Sequence, residues 1–353
     1  MTAWAASDSM PIDVTVGIPT YNRSELLIRA IASVLRQSYR GFRLVVSDNA
    51  SDDDTASVVA SFRDPRLVYR PLERNIGRAA NFNRLIDLAE TPFVVLMGDD
   101  DQLHPEHLSR TVAALKRRPT AGLVHTGCTI VDISGSHLVS HHRLIETRRP
   151  ALVESGAQFL ERSMRSGWTV CFPSATFRRE ALIGGGGLRP EDGTIDDIPL
   201  LMRIATDWDL AYLNLPLVAV TAHSDASSSS LGSFTPNGFR VSRSLPDMLY
   251  DRRRQFLDEA DLPDAEVGRL ARIAEKTYRR DVLGCLSTRA RTGDGQLTIF
   301  RALAKEIRRD RRLGLDPMTG RFVIGQLGAR RLRDALRRQV QPGGASTAEV
   351  PSA

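Results

Sequence analysis

Two hydrophobic periods take turns along the first third of the chain. Val14–Thr20 (VTVGIPT) is an almost unbroken apolar run that reads as a strand buried on both faces and closing at Pro19. Ser24 is placed to cap a helix in which the pairs Leu26/Leu27, Ala30/Ile31 and Val34/Leu35 recur every four residues, the spacing of one helical face. The succession then repeats. Phe42–Ser47 (FRLVVS) predicts a second strand, followed by the acidic, serine-rich turn Asp48–Asp54 and a short helix through Val58 and Val59. Leu67–Arg70 predicts a third strand, Ala79–Ala89 a helix, and Thr91–Met97 a fourth strand running into Gly98-Asp99-Asp100-Asp101. A helix over His104–Arg117, with Pro105 suited to its first turn, and a strand over Gly122–Val131 complete the series.

Strands separated by helical stretches of about 10–15 residues imply βαβ units and an α/β fold, with a mostly parallel central sheet flanked by helices. Such sheets bind ligands at the carboxyl ends of their strands. Here those ends carry Thr20-Tyr21-Asn22, Asp48-Asn49 and Asp99-Asp100-Asp101, so three separate strands deliver polar residues to one edge.

Beyond Asp132 the alternation fades. Residues 134–150 are polar and basic and read as a surface loop, Glu154–Arg165 as a helix, Thr169–Phe177 as strand-like and Gly184–Gly187 as a flexible turn. Asp196–Ala205 predicts a short helix and Leu210–Thr221 an apolar strand region. Ser227–Ser230 marks a boundary, and 243–340 reads almost entirely as helix. The organisation expected is a flexible start over 1–11, a domain over 12–230 with halves 12–132 and 133–230, an α-helical C-terminal region over 240–340 and a disordered tail over 341–353.

Charge adds one feature. Of the formal net charge of +6, residues 301–340 contribute +8 through twelve Lys+Arg against four Asp+Glu, which leaves −2 for the rest. In Arg330–Val340, Leu332, Leu336 and Val340 form a stripe flanked by Arg330, Arg331, Arg333, Arg337 and Arg338. Such a helix can lie on an anionic membrane, pack with a solvated basic face, or meet a phosphorylated acceptor. Nucleic acid is not expected, because no aromatics interleave the basic stretch. The longest apolar stretch, Leu210–Thr221, falls short of the ~20 residues of a spanning helix. The start MTAWAASDSMPIDV shows no signal-peptide pattern. Cys128, Cys171 and Cys285 have no metal-ligand spacing and read as buried thiols of a reducing compartment. The expected location is cytoplasmic, peripheral at the inner face of the plasma membrane where the basic helix binds lipid.

The sharpest chemistry is the acidic triplet. Three consecutive carboxylates repel one another unless a cation balances them, and Mg²⁺ commonly sits between one or two carboxylates and substrate phosphates. The plainer alternative is a solvated turn with Asp101 capping the next helix. Asp48 can accept a hydrogen bond from a base or ribose, or close an Asx-turn. Asn75-Ile76-Gly77 precedes a helix, which places its backbone N–H groups to face phosphate oxygens.

Together, VTVGIPTYNR (14–23), VVSDNASDDDT (45–55), RNIGRAANFN (74–83) and LMGDDDQLHPEHL (96–108) resemble, in order and spacing, the family 2 glycosyltransferases of the GT-A fold. The likeness continues more loosely through CFPSATFRREAL (171–182) and DDIPLLMR (196–203) to His223, covering residues 12–225. It implies a Rossmann-like GT-A domain and a metal-dependent, inverting transfer of a sugar from a UDP- or dTDP-sugar to an acceptor hydroxyl. By position it assigns Pro19, Thr20, Tyr21 and Arg23 to the loop against the donor nucleotide, Asp48 to the pyrimidine imide N–H, and Asn75 and Gly77 to the rest of the nucleotide pocket. Asp99–Asp101 match the DXD region that binds ribose and the Mn²⁺ or Mg²⁺ at the diphosphate, with Asp99 also a donor contact. Counted from Pro105, Asp100 falls on the metal-binding carboxylate, whereas the literal D-x-D is Asp99/Asp101; both assignments stay open.

Asp196-Asp197 resembles the acidic pair that supplies the catalytic base, with Asp197 as the base and Arg203 following as in relatives. The alternative is an N-cap at Asp196 and a first-turn dipole partner at Asp197. His223 resembles a histidine near the diphosphate or metal, against the alternative of a buried histidine, and Trp168 is either a core or a sugar-stacking tryptophan. The implied role is cell-envelope polysaccharide, O-antigen-like or glycoconjugate synthesis on a saccharide or lipid-linked acceptor. Glycosylation of a small natural product, a nucleotidyltransferase and a non-catalytic nucleotide-sugar binding module are the alternatives. A nucleotidyltransferase would need a Gly-rich, basic phosphate loop, which VTVGIPTYNR lacks. A binding module would not need Asp48, Asp99–Asp101 and Asp197 together.

Overall fold

The computed structural model describes residues 11–140, 152–166, 170–223, 232–235, 238–241 and 245–291, with positions 303, 304, 307 and 319. The chain forms two compact units, Met1–Glu275 and Lys276–Ala353. Residues 1–10, Trp168, the boundary Ser227–Ser230, the basic stripe Arg330–Val340 and the 341–353 tail lie outside the described residues. In chain order the first unit builds β1 (Val14–Thr20), α1 (Ser24–Leu35), β2 (Phe42–Asp48), α2 (Thr55–Ser61), β3 (Leu67–Pro71), α3 (Arg78–Leu88), β4 (Phe93–Leu96), β5 (Gln102–Leu103) and α4 (His107–Lys116). There follow β6 (Ala121–Val131), β7 (His137–Ser140), β8 (Leu152–Glu154), α5 (Gly156–Arg165), β9 (Thr176–Arg178), α6 (Arg179–Gly184), α7 (Asp197–Asp207) and β10 (Asp209–Thr221). A hairpin of β11 (Gly232–Thr235) and β12 (Gly238–Val241) precedes α8 (Leu245–Glu259) and α9 (Asp264–Arg291).

One sheet runs β3-β2-β1-β4-β9-β6-β10-β5, with β7 on β6 and β8 on β10. β1, β2, β3, β4, β6 and β10 share a direction, while β5, β7, β8 and β9 oppose it. The mostly parallel sheet is therefore present, seamed by the inverted β9. Both faces are covered. Along Phe93–Met97, Phe93, Val95 and Met97 join one core with Leu27, Ile31 and Val34 of α1 and Leu108 and Val112 of α4. Val94 and Leu96 join the other with Leu85 of α3, Phe159 of α5, Leu201 of α7 and Phe256 of α8. A strand buried this way needs apolar side chains at every position, and each contributes about 1.5–3 kcal/mol.

The structure departs from the sequence reading at several element ends. Ser24 does not cap α1: it is the first helical residue, Arg23 holds the N-cap position without a side-chain bond, and the Ser24 N–H donates to Asp53 Oδ2 at 3.0 Å. Helix α4 starts at His107, not His104, and Pro105 lies in the preceding turn. The cause is Gln37: its Nε2 donates to the His104 carbonyl at 2.8 Å, and its Oε1 accepts the Leu108 N–H at 3.0 Å, acting as a cap from outside the helix. Asp101 consequently caps nothing. The expected strand Thr169–Phe177 forms only at Thr176–Arg178, since Phe172–Ser174 makes a 3₁₀ turn with Pro173 in its first half.

Candidate active site

The carboxyl ends of β1, β2 and β4 meet as expected, with Thr20 in register with Asp48. Thr20 Oγ1 donates to Asp99 Oδ2 at 2.8 Å. Arg23 Nη1 lies 3.3 Å from both Asp99 Oδ1 and Asp100 Oδ2. His223 Nε2 is 3.0 Å from the same Asp100 oxygen, and Thr221 Oγ1 donates to the Asp100 carbonyl at 2.6 Å, so the end of β10 is fastened to the turn. Burial, reinforced by the Asp100 charge and opposed by Arg23 and Thr20, pushes the Asp99 carboxyl up to about 6. Asp101 is buried as well; burial and the Asp100 charge hold it well above the usual carboxylate range, and the Thr221 backbone opposes them. The triplet thus splits into an Asp99–Asp100 pair gathered with Arg23 and His223, and a buried Asp101 that accepts from the Thr221 backbone.

Asp48 sits only 3% exposed at the end of β2. Its Oδ1 accepts from the Ser51 N–H at 2.9 Å and the Ser51 hydroxyl at 2.6 Å, and its Oδ2 accepts from Tyr69 Oη at 2.5 Å. A carboxylate has about four lone-pair sites, so Oδ2 retains capacity for one more donor. Asn49 Nδ2 donates to Asn75 Oδ1 at 2.9 Å. The Asn75–Gly77 amides do not face outward as expected: Ile76 N–H donates to Asn49 Oδ1 at 2.8 Å and Gly77 N–H to Asn75 Oδ1 at 2.8 Å. Gly77, at φ 87°, holds the N-cap position of α3, a conformation suited to glycine. Pro19 is half-buried, and Tyr21 is largely exposed at the same edge.

The second acidic pair lies at the start of α7. Asp196 occupies the N-cap position but makes no cap hydrogen bond; its side chain instead pairs with Arg78, and its Oδ1 has no hydrogen-bond partner. Asp197 is half-buried, and burial, followed by the Asp196 charge and opposed by Arg78, raises its carboxyl to about 7. Arg78 directly follows Gly77, so the Asp196–Asp197 pair reaches the β2 edge through Arg78, the Asn75–Gly77 loop and Asn49. Sequence reasoning missed Arg78, although its place straight after the Asn75-Ile76-Gly77 loop was a usable signal. It also missed Tyr69. Arg203, on α7, donates to the Gly185 and Gly187 carbonyls at 2.7 and 2.6 Å and lies 3.6 Å from buried Asp192.

Among the described residues no three acidic, histidine or cysteine side chains gather into a closed cation cage. The two carboxylates Asp99 and Asp100 are the oxygen donors that Mg²⁺ or Mn²⁺ favours, since such ions take one or two carboxylates, keep waters and draw phosphate oxygens from substrate.

The mostly parallel sheet, with a loop, an acidic turn and a helix-borne carboxylate beside its strand ends, has the GT-A fold of the solved structures on which it superposes. Residues 15–183 match the family described as Glycosyl transferase family 2. The succinoglycan biosynthesis protein ExoO of Rhizobium meliloti is 31% identical over 161 residues, 44% of this chain and 45% of that protein. The GalNAc(5)-diNAcBac-PP-undecaprenol beta-1,3-glucosyltransferase of Campylobacter jejuni is 34% identical over 128 residues, 35% of this chain and 40% of that protein. The chain thus spans less than half the length of these curated relatives. Among solved structures, S. aureus TarS 1-349 in complex with UDP-GlcNAc superposes with a TM-score of 0.60 at 18% identity, covering 93% of this chain and 92% of that one. The mannosyltransferase PcManGT of Pyrobaculum calidifontis, in complex with GDP-Man and Mn²⁺, gives 0.53 at 17% identity, covering 92% and 88%.

Proposed function

We propose that this chain is a metal-assisted, inverting glycosyltransferase that moves a sugar from a UDP- or dTDP-sugar to an acceptor hydroxyl. The observation that carries the reading is Asp197, a half-buried carboxylate raised to about 7 and linked through Arg78 and the 75–77 loop to the strand edge. A base titrating near the working pH is matched to proton abstraction. The acceptor oxygen attacks the anomeric carbon while its proton passes to the Asp197 carboxylate. The bond from that carbon to the diphosphate oxygen breaks with its electron pair leaving on the diphosphate, and attack from the opposite face inverts the centre. Asp99 and Asp100, with His223, would hold Mn²⁺ or Mg²⁺, which when bound neutralises the departing diphosphate. The remaining lone pair of Asp48 Oδ2 suits the imide N–H of a pyrimidine, and Pro19, Thr20, Tyr21, Asn75 and Gly77 frame the base and ribose.

The complexes of TarS with UDP-GlcNAc and of PcManGT with GDP-Man and Mn²⁺ support a nucleotide-sugar donor and a divalent cation. The names of the two relatives support a role in cell-envelope polysaccharide synthesis, with a saccharide or lipid-linked acceptor. In this reading 12–132 is the nucleotide-sugar half and 133–230 the acceptor half, and the protein acts at the inner membrane face. No described helix is long and apolar enough to cross a membrane. Calorimetric titration with UDP, dTDP and GDP, in Mn²⁺ or in EDTA, tests the site. Metal-dependent binding of UDP or dTDP, weakened about tenfold or more by Asp48→Ala and Asp100→Ala, is expected from the loss of charged hydrogen bonds. Absence of metal-dependent nucleotide binding would overturn the mechanism and leave a non-catalytic module.

A further inference from the structure

The guanidinium of Arg23 sits between the two carboxylates read above as holding the divalent cation. Its Nη1 is 3.3 Å from Asp99 Oδ1 and 3.3 Å from Asp100 Oδ2, a bridging position between two acids on adjacent residues. The backbone around it is pinned. Asn22, in the left-handed region at φ 52°, donates its N–H to Ser51 Oγ at 2.9 Å. Asn22 Oδ1 accepts the Asp52 N–H at 2.9 Å, and the Ser24 N–H goes to Asp53. The Arg23 side chain, by contrast, is 26% exposed. Exchange at this position is therefore a side-chain rotation on a fixed loop.

We propose that Arg23 is the built-in counter-cation of the acidic turn, occupying the place between Asp99 and Asp100 that a divalent cation takes, so that the two exclude one another. This rests on the reading that the turn holds Mn²⁺ or Mg²⁺ against a donor diphosphate. Two acids on adjacent residues, one buried and one half-buried, are hard to keep ionised together without a positive neighbour, and the bridging guanidinium supplies one. A bound diphosphate offers Arg23 other anionic oxygens, in the bidentate geometry guanidinium favours. Nucleotide thereby draws Arg23 off the acids and opens them to the cation. Metal and nucleotide binding are thus coupled beyond direct ligation of metal by phosphate, and by linkage the coupling is reciprocal.

The test is Mn²⁺ binding followed by electron paramagnetic resonance of the free ion, on the full chain with and without saturating UDP. Removing a unit charge this close to both ligands should tighten nucleotide-free Mn²⁺ binding by Arg23→Gln about tenfold or more, and reduce the enhancement by UDP by a similar factor. Arg23→Lys, which keeps the charge but not the bidentate fork, should leave nucleotide-free Mn²⁺ binding near wild type and give a UDP enhancement between those of wild type and Arg23→Gln. If Arg23→Gln binds nucleotide-free Mn²⁺ no more tightly than wild type, while wild type still binds it with UDP present, the counter-cation idea fails and the metal site stands. If wild type binds no Mn²⁺ even with UDP, the metal reading falls and this proposal falls with it.

Discussion

Arg78, the first residue of α3, forms an ion pair with buried Asp196 across 118 positions of sequence. This contact sets the charge beside Asp197, whose carboxyl is raised to about 7 by burial and Asp196 and held from rising further by Arg78. In the proposed mechanism Asp197 acts ionised, so the rate is expected to fall as pH is lowered through about 7. Arg78→Met removes the restraining cation and should move that acidic limb upward by about 1 pH unit. Superimposable kcat profiles for the two proteins would remove Asp197 as the titrating base.

Replacing Asp197, the proposed base, separates chemistry from binding. Asp197→Asn should lower kcat by about 10²–10⁴-fold and leave the calorimetric affinity for UDP with Mn²⁺ unchanged. A parallel loss of nucleotide affinity would assign Asp197 to donor binding.

Asp99 couples function to stability. Its native carboxyl titrates at about 6, against ~3.9 in an unfolded chain, so the native state holds the proton more tightly. The stability difference is therefore eroded as pH rises between those values, and the full cost is present at neutral pH. Asp99→Asn should stabilise the cation-free protein by about 1–3 kcal/mol at pH 7.5, with the gain fading toward pH 4. Thermal melts at several pH values check this. The same variant should lose Mn²⁺-dependent UDP binding.

Gly98 tests the packing of the acidic turn. A Cβ there would lie 2.4 Å from Asp100 Oδ1 and 3.2 Å from Asp101 Oδ2, so Gly98→Ala must displace both carboxylates. Metal-dependent UDP affinity should drop about tenfold, a loss of about 1.4 kcal/mol. An alanine variant binding like wild type would show that the turn accommodates other geometries.

Arg203 is a stability element. Asp192 is 2% exposed and lies 3.6 Å from guanidinium nitrogens of Arg203 and Arg252. Arg203→Met removes one of these cations and strips two carbonyls of their donor, which should cost about 3–5 kcal/mol. Denaturant melts measure it. A loss below about 1 kcal/mol would mean that water and Arg252 suffice for Asp192.

Much of the fold was legible because β1, β2 and β4 are covered on both faces, which forces long apolar runs with polar residues at their ends. Thr20, Asp48 and Asp99 converge for that reason. What escaped depended on distant partners. β5 and β9 are too short to carry a period of their own and exist through pairing with β10 and with β4 and β6. Arg78 and Tyr69 look like surface residues until Asp196 and Asp48 are brought to them. Ser24 and His104 misled for the converse reason: each satisfied a local helix rule, but Asp53 and Gln37 supplied the hydrogen bonds from elsewhere in the fold.

The acidic turn joins β4 to β5, which are not neighbours in the sheet: β9, β6 and β10 stand between them. The turn is therefore a tether across the end of the sheet, with its carboxylates strung along it. A change in the spacing of β9 or β6 would move the two ends of that tether relative to one another, and with them Asp99 and Asp100. Apolar substitutions at Phe177 or Val124, in the buried core, become adjustments to the gauge of the proposed cation site. The turn's tuning is thus dispersed through the core, where selection on packing and selection on chemistry act on the same residues.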